Sequence, residues 1–325
     1  MNAKRAAVLA ITFAILIILY FFIENPAGRK KKKEPLDLFS GFQKDAVSSI
    51  IISSPEKGRV DLVKKPKGWQ VTADNETFAA DKKPIDKVLE TVASMKIRSV
   101  VSRNPKNFEP FEVTEGKAIE VQMDDASQNT LAALHVGKSG PDIFSTYVSK
   151  KGSDQVVLVN AILKTVFEQD LKAWRNKTIF AFNKDDITEY KVEGNMILHV
   201  KQDDNSTWQV LAPETFTPKK GAVEDAVENF AELDAVDFGE DNQTKYRLDT
   251  PARTITATLK DGTAKVLYIG KDKNAFQHFV KAEGIDTIFV VEDYEIEAFC
   301  PGIDKLKEEE KKPDAPDNAT DNQTE

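Results

Sequence analysis

Two hydrophobic patterns divide the chain. From Ala6 to Ile23, eighteen residues run without a charge. Leu, Ile, Val and Phe fall on every face of the implied helix rather than on one stripe. At 1.5 Å per residue the run reaches about 27 Å, close to the roughly 30 Å hydrocarbon core of a bilayer. It predicts a single transmembrane helix. Phe21-Phe22-Ile23-Glu24-Asn25 follows the run where a cleavable signal would need small residues, and no cysteine stands there for a lipid anchor, so the helix is expected to be an uncleaved anchor. Beyond it the pattern changes to short alternating runs, broken at intervals by an amphipathic helical period.

That second pattern repeats. Phe42-Gln43-Lys44-Asp45 returns as Phe182-Asn183-Lys184-Asp185, and Trp69-Gln70-Val71 as Trp208-Gln209-Val210. Ile85, Leu89, Val92 and Met95 return as Val223, Val227, Phe230 and Leu233. Leu134-His135-Val136-Gly137-Lys138 returns as Leu267-Tyr268-Ile269-Gly270-Lys271, and Val156–Val159 as Ile288–Val291. The five matches keep one order while their offset falls from 140 to 132 residues (182 − 42 and 288 − 156), as small loop deletions would make it fall. A repeat of this kind implies two copies of one module.

Each copy therefore predicts the other's elements. An alternating strand opens the module (Val47 to Ser53; Ile187 to Glu193), and a later strand ends at the Trp-Gln-Val triplet. An amphipathic helix follows, its apolar positions at i, i+4, i+7 and i+10 on one stripe. Asp81 with Pro84, and Thr217 with Pro218, are the expected N-terminal caps and first turns. Next come strands at Ile119–Met123, Leu131–Val136, Thr146–Ser149 and Val156–Val159, with counterparts at Ile255–Leu259, Lys265–Ile269, His278–Lys281 and Thr287–Val291. Asp124-Asp125, Gly137-Lys138-Ser139-Gly140 and Lys260-Asp261-Gly262 read as turns between them. A closing helix is expected over Asn160–Trp174 and Asp293–Phe299. The fold class is α+β: one N-terminal transmembrane helix, then two tandem copies of an antiparallel-sheet-plus-helix module. The expected divisions are a short basic N-terminus (1–5), the anchor (6–23), a basic linker (24–37), the two modules (38–172 and 179–305) and a disordered acidic tail (306–325).

Composition narrows the function classes. The chain has 325 residues and a net charge of −8. Half of that excess lies in Lys307–Glu325, which holds seven acids against three bases. A mildly acidic folded part argues against nucleic acid as a partner, which needs a clustered basic surface. The linker stretch Gly28–Pro35 is basic and suits either a solvated spacer or contact with anionic lipid headgroups. Flanking charge alone leaves the orientation open. Arg29–Lys33 outweigh Lys4 and Arg5 and would keep the large part inside, whereas a short basic start before a long apolar run resembles a signal anchor that exports the large domain behind it.

Candidate chemistry is sparse. Cys300 is the only cysteine, so no internal disulfide or cysteine-based zinc site is available, and a passive buried thiol is expected. His135, His199 and His278 sit in predicted strands without metal-ligand spacing. Gly137-Lys138-Ser139 resembles the end of a phosphate loop, but Ala132 stands where the first glycine is required. Asp124-Asp125, Asp185-Asp186 and Asp203-Asp204 are carboxylate pairs in polar, turn-like surroundings. No catalytic, cofactor-binding or metal residues are assigned, and an enzyme is not expected. Trp69 and Trp208 hold equivalent places and suit a core role common to both copies.

The arrangement resembles the bacterial family catalogued as domain of unknown function 4340. The resemblance rests on the anchor and charged linker, the lead-in Phe39–Ile52, and the Trp-Gln-Val strands Gly68–Val71 and Thr207–Val210 ahead of each helix. It rests also on the Leu-x-x-Gly-Lys strand ends and the junction Trp174-Arg175-Asn176-Lys177, where Asn176 departs from the usual Asp. It covers residues 36–305, and its motifs are structural. The resemblance implies a membrane-anchored protein on the periplasmic side of the bacterial inner membrane. The implied partners are inner-membrane lipid and an ABC-transporter permease or a gliding-motility-type auxiliary protein, which the chain would serve as a non-enzymatic accessory subunit. The alternative is a stand-alone envelope scaffold or ligand-binding protein.

Overall fold

The structure, a computed structural model, describes residues 36–308. The expected anchor Ala6–Ile23, the linker up to Pro35 and the tail from Glu309 onward lie outside these residues. Among the described residues no helix is long and apolar enough to cross a membrane. The chain divides between Trp174 and Arg175 into two compact units, each an α+β module built on one antiparallel sheet.

In the first unit β1 (Val47–Ser54), β2 (Gly58–Lys65), β3 (Gly68–Ala73) and β4 (Glu76–Ala79) form a meander. Helix α1 (Lys82–Ser94) then carries the chain to the far edge, where β5 (Ile97–Ser102) pairs with β9. Strands β6 (Ile119–Asp125), β7 (Thr130–Ser139), β8 (Thr146–Lys150) and β9 (Val156–Val159) fill the space between β1 and β5. The sheet order is β4-β3-β2-β1-β6-β7-β8-β9-β5. Two single turns close the unit, α2 (Lys164–Phe167) and α3 (Leu171–Trp174).

The second unit repeats this path. It has β10 (Ile187–Gly194), β11 (Leu198–Gln202), β12 (Trp208–Ala212), helix α4 (Ala222–Ala231), β13 (Asp237–Phe238), β14 (Arg253–Leu259), β15 (Ala264–Asn274), β16 (Gln277–Ala282), β17 (Phe289–Glu292), and helices α5 (Asp293–Phe299) and α6 (Ile303–Leu306). Its order, β12-β11-β10-β14-β15-β16-β17-β13, is that of the first sheet without β4. A single bridge, Val210 to Phe216, stands where β3 pairs Val71 with Phe78. The β-bulges also match: β1 and β10 each slip register at their second residue, Val47/Ser49 and Ile187/Glu189.

Each sheet buries one face beneath its helix. Ile85, Val88, Leu89 and Val92 of α1 are buried, sharing a core with Ile50, Leu62, Val121 and Leu134. In the second unit Val223, Ala226, Val227 and Phe230 of α4 do the same over Tyr190, Val200, Ile255 and Leu267. Trp69 and Trp208 lie at equivalent places in the two cores. Phe230 is the hub of its core: its ring stands 4.9 Å from Phe180, 5.3 Å from Tyr190 and 5.9 Å from Phe299.

Several local expectations are corrected. Asp81 caps α1, accepting from Lys83 N at 2.8 Å, but α4 begins at Ala222 behind Gly221 at φ 86° rather than at Thr217-Pro218. The Thr217 hydroxyl is instead engaged with Gln209. The closing helix over Asn160–Trp174 is broken. Asn160 is held to the sheet edge through both its backbone and its side chain at Lys96. At Glu168–Asp170 the carboxylates leave the helical path to meet Ser54 and Lys57 of the first hairpin, at 2.9 and 2.8 Å. The second copy keeps its helix over Asp293–Phe299, opened by a Glu292/Glu295 capping box.

Replacing Phe230 by alanine is expected to destabilise the second module by about 3–5 kcal/mol, since a fully buried aromatic hub is lost. Hydrogen exchange read by mass spectrometry should show faster exchange across β10–β17 and unchanged protection in β1–β9. A uniform rise over both sheets would contradict two separate cores.

A duplicated surface as candidate functional site

The Leu-x-x-Gly-Lys strand end, read as a turn, lies inside a continuous strand in both copies. Strand β7 runs on to Ser139 and β15 to Asn274, and each slips register at the glycine and lysine. The motif is therefore a β-bulge. Neither Gly137 nor Gly270 needs a positive φ. What they need is space: a Cβ on Gly137 would overlap the Phe111 carbonyl oxygen, and one on Gly270 the Tyr246 carbonyl oxygen. Lys271 N donates to that same Tyr246 oxygen at 2.8 Å.

The segment that approaches the bulge carries a ring over the sheet face opposite the helix. Tyr246 stacks on Phe279 of β16 at 3.8 Å, and Phe111 packs on Tyr147 of β8 at 4.8 Å. Phe279 alternates with Val280, which faces the main core, so the two side chains point to opposite faces. Lys138 and Lys271 extend over Phe111 and Tyr246, 5.9 and 5.7 Å from the ring centroids, within cation–π range. The whole quartet is duplicated: Phe111, Gly137, Lys138 and Tyr147 against Tyr246, Gly270, Lys271 and Phe279.

Past the bulge, the hairpin tip holds a second duplicated feature. Phe144 is 65% exposed and Phe276 72% exposed, and the two are 132 residues apart (276 − 144). At the same offset, Ile162 and Tyr294 are also exposed. Phe276 O accepts from Asp293 N at 2.8 Å, which holds the backbone of that tip to the start of α5. An ion pair ties each tip to the edge strand, Arg98–Asp142 at 2.6 Å to β5 and Lys273–Asp237 at 2.8 Å to β13. Large apolar side chains kept in water at matched positions mark a contact surface more readily than a catalytic one.

The residues singled out for chemistry lie apart from this surface or within turns. The Asn129 side chain, with Asn129 N and Ser127 N, donates to Asp125 and holds its carboxyl below the usual range. Asp124 accepts from Gln122 and Thr130. Asp203 accepts from Asn205 N and Thr207 N, and Asp185-Asp186 lie in the short 3-10 turn before β10. His135 stands on β7, opposite Glu120 of β6. His199 pairs with Glu189 at 2.7 Å, and His278 stands between Asp272 and Asp293 at 2.9 and 2.8 Å. Among the described residues no group of three His, Cys, Asp or Glu side chains is placed to hold a metal ion. Burial pushes the Cys300 thiol up to about 12, against the opposing pull of Arg253, so it stays protonated at neutral pH.

Gly270→Ala and Gly137→Ala are each expected to cost about 1–3 kcal/mol, because the opposing atom is backbone and cannot swing aside; denaturant titration measures it, and a neutral result would refute the close approach. Glu189 offers a pH test. The Lys191 hydrogen bond holds its carboxyl below the usual range, His199 adding to this against the cost of burial. A carboxyl lowered by folding stabilises above its unfolded pKa, near 4.3, and loses that contribution as pH falls through the folded value. Glu189→Gln should therefore cost on the order of 1 kcal/mol at pH 7, and the gap to the parent should close as the pH falls below the unfolded pKa and through the folded value in chemical denaturation.

Comparison with known proteins agrees with the duplication. No curated protein and no solved structure matches the chain. The sequence profile described as "Domain of unknown function (DUF4340)" matches twice, over residues 69–251 and 208–311, and the two matches start at the equivalent tryptophans Trp69 and Trp208. With its two matches overlapping and together spanning every residue from 69 to 311, well over half of the 325-residue chain, the chain belongs to the DUF4340 family.

Proposed function

We propose that this chain is a membrane-anchored, non-enzymatic accessory protein. In this reading Ala6–Ile23 spans the bacterial inner membrane and both modules stand on the periplasmic side. Of their matched surfaces, the one on the second module engages an ABC-transporter permease or a gliding-type auxiliary protein. The observation that supports it is the pair of hairpin tips. Phe144 with Ile162, and Phe276 with Tyr294, keep apolar side chains in water at the same place in each module, where anchor residues of an interface are commonly aromatic. The length and all-round apolarity of Ala6–Ile23 support the anchor, and the features shared with the family support the partner class.

Two measurements test this. Alkaline phosphatase fused after Glu308, just past the buried Leu306, should be active in cells, because that enzyme works only outside the cytoplasm. A silent fusion of normal abundance would overturn the topology. The full chain taken from its native membrane in mild detergent should bring a permease with it, and Phe276→Ser should reduce the yield at least several-fold. Recovery as a lone monomer from cells expressing the neighbouring transporter genes would instead favour the stand-alone scaffold.

A further inference from the structure

We infer that the edge of the first module docks on an anionic lipid surface, with the Ile143–Phe144 hairpin tip entering the headgroup layer. The inference rests on the anchor proposed above and goes beyond it in naming what one of the two tips touches. Three observations converge on this edge.

The first is where the described chain begins. Ile97 N donates to Leu36 O at 2.8 Å, and Leu38 N donates to Met95 O at 3.0 Å. Leu36 is therefore held against the start of β5, the outermost strand of its sheet. Twelve residues, 24–35, separate Leu36 from Ile23, a reach of at most about 43 Å fully extended, and five of them, Arg29–Lys33, are basic. An anchor ending at Ile23 keeps this edge within that distance of the bilayer.

The second is what the edge exposes. Along β5, Val100 and Val101 are exposed, and at the tip Ile143 and Phe144 are 74% and 65% exposed. The Arg98–Asp142 pair holds the tip to the strand. Apolar side chains at such a tip suit the boundary between headgroups and acyl chains, roughly 5–10 Å deep.

The third is charge. Asp37 and Asp142 are each neutralised by a base, Lys96 and Arg98. The equivalent tip of the second module is built differently. There Asp272 and Asp293 share His278, Lys273 is taken by Asp237, and Glu297 faces Lys305 across the helix end. The first tip is left without a net acid and the second acidic, so an anionic surface that attracts Arg29–Lys33 tolerates the first and repels the second.

The test uses the full chain reconstituted in vesicles of equal parts phosphatidylcholine and phosphatidylglycerol. Because Cys300 is buried and protonated, a maleimide fluorophore labels a cysteine placed by Phe144→Cys, or by Phe276→Cys as the counterpart. Lipids brominated on their acyl chains should quench the label at 144 and leave the label at 276 bright. A label at Ile162→Cys, with Phe144 intact, should also be quenched, and less so when Phe144→Ser is added. In vesicles of phosphatidylcholine alone the label at 144 should be quenched less. Equal quenching at 144 and 276, or none at 144, in chains that float with the vesicles and resist alkaline carbonate would overturn the docking and leave the anchor standing. Chains stripped off by carbonate would overturn the anchor and the inference together. A signal at 144 that disappears when the chains are diluted with lipid would place a second copy there and also overturn the docking.

Discussion

A helix stripe buried against one face of a short-stranded antiparallel sheet is the interaction on which each module depends. Neither partner is stable alone: α1 spans only thirteen residues, and a helix of that length in water draws its stability from packing. Covering one face forces the alternation seen along the central strands, as in β1, where Val47, Ile50, Ile52 and Ser54 are buried and the residues between them are not. It also fixes the topology. The helix must cross the whole sheet, so the strand after it lands at the far edge and the last four strands fill the gap. Both modules solve the problem in the same way.

The opposite face is covered only at one end, and the Gly-Lys bulge makes that covering possible. The segments 103–118 and 239–252 return from the far edge towards the central strands and must pass close to β7 and β15. A glycine lets their backbone approach, and the adjacent lysine covers the aromatic ring they bring. This accounts for a duplicated motif that reads from sequence as turn chemistry or a degraded phosphate loop. The same bulge sends the strand on towards an exposed hairpin tip, so a packing device also positions the surface most suited to contact.

The copies diverge in charge while agreeing in shape. Glu189 collects Lys191, His199 and Lys201 on the second sheet, a grouping whose first-copy positions hold other residue types. The hairpin tips differ in the same manner, with Arg98–Asp142 in one and the His278 carboxylates in the other. Apolar positions are bound by a shared core and tolerate little change, whereas solvated positions are free to diverge. Duplicated shape with divided charge suits a protein that presents two related but non-equivalent faces.

The duplication, the central strands, the helix stripes and the Asp81 cap were legible in the sequence, because core burial imposes periods of 2 and 3.6 on consecutive residues and the repeat shows them twice. Edge strand β5 was not, since nearly all of Ile97–Ser102 is exposed and an exposed strand carries no alternation. The break at Glu168–Asp170 was hidden because its cause is a hairpin more than a hundred residues away. Gly137 and Gly270 were misread because a glycine required by a neighbour's backbone looks, in one dimension, like a glycine required by a turn. By itself the sequence determined the module, its two copies and the apolar run that precedes them, all of which arise from local patterning. Only the tertiary structure decided where Phe144 and Phe276 stand, that each is tied to an edge strand, and which charges surround them. Those relations join residues far apart in the chain, and no local pattern encodes them.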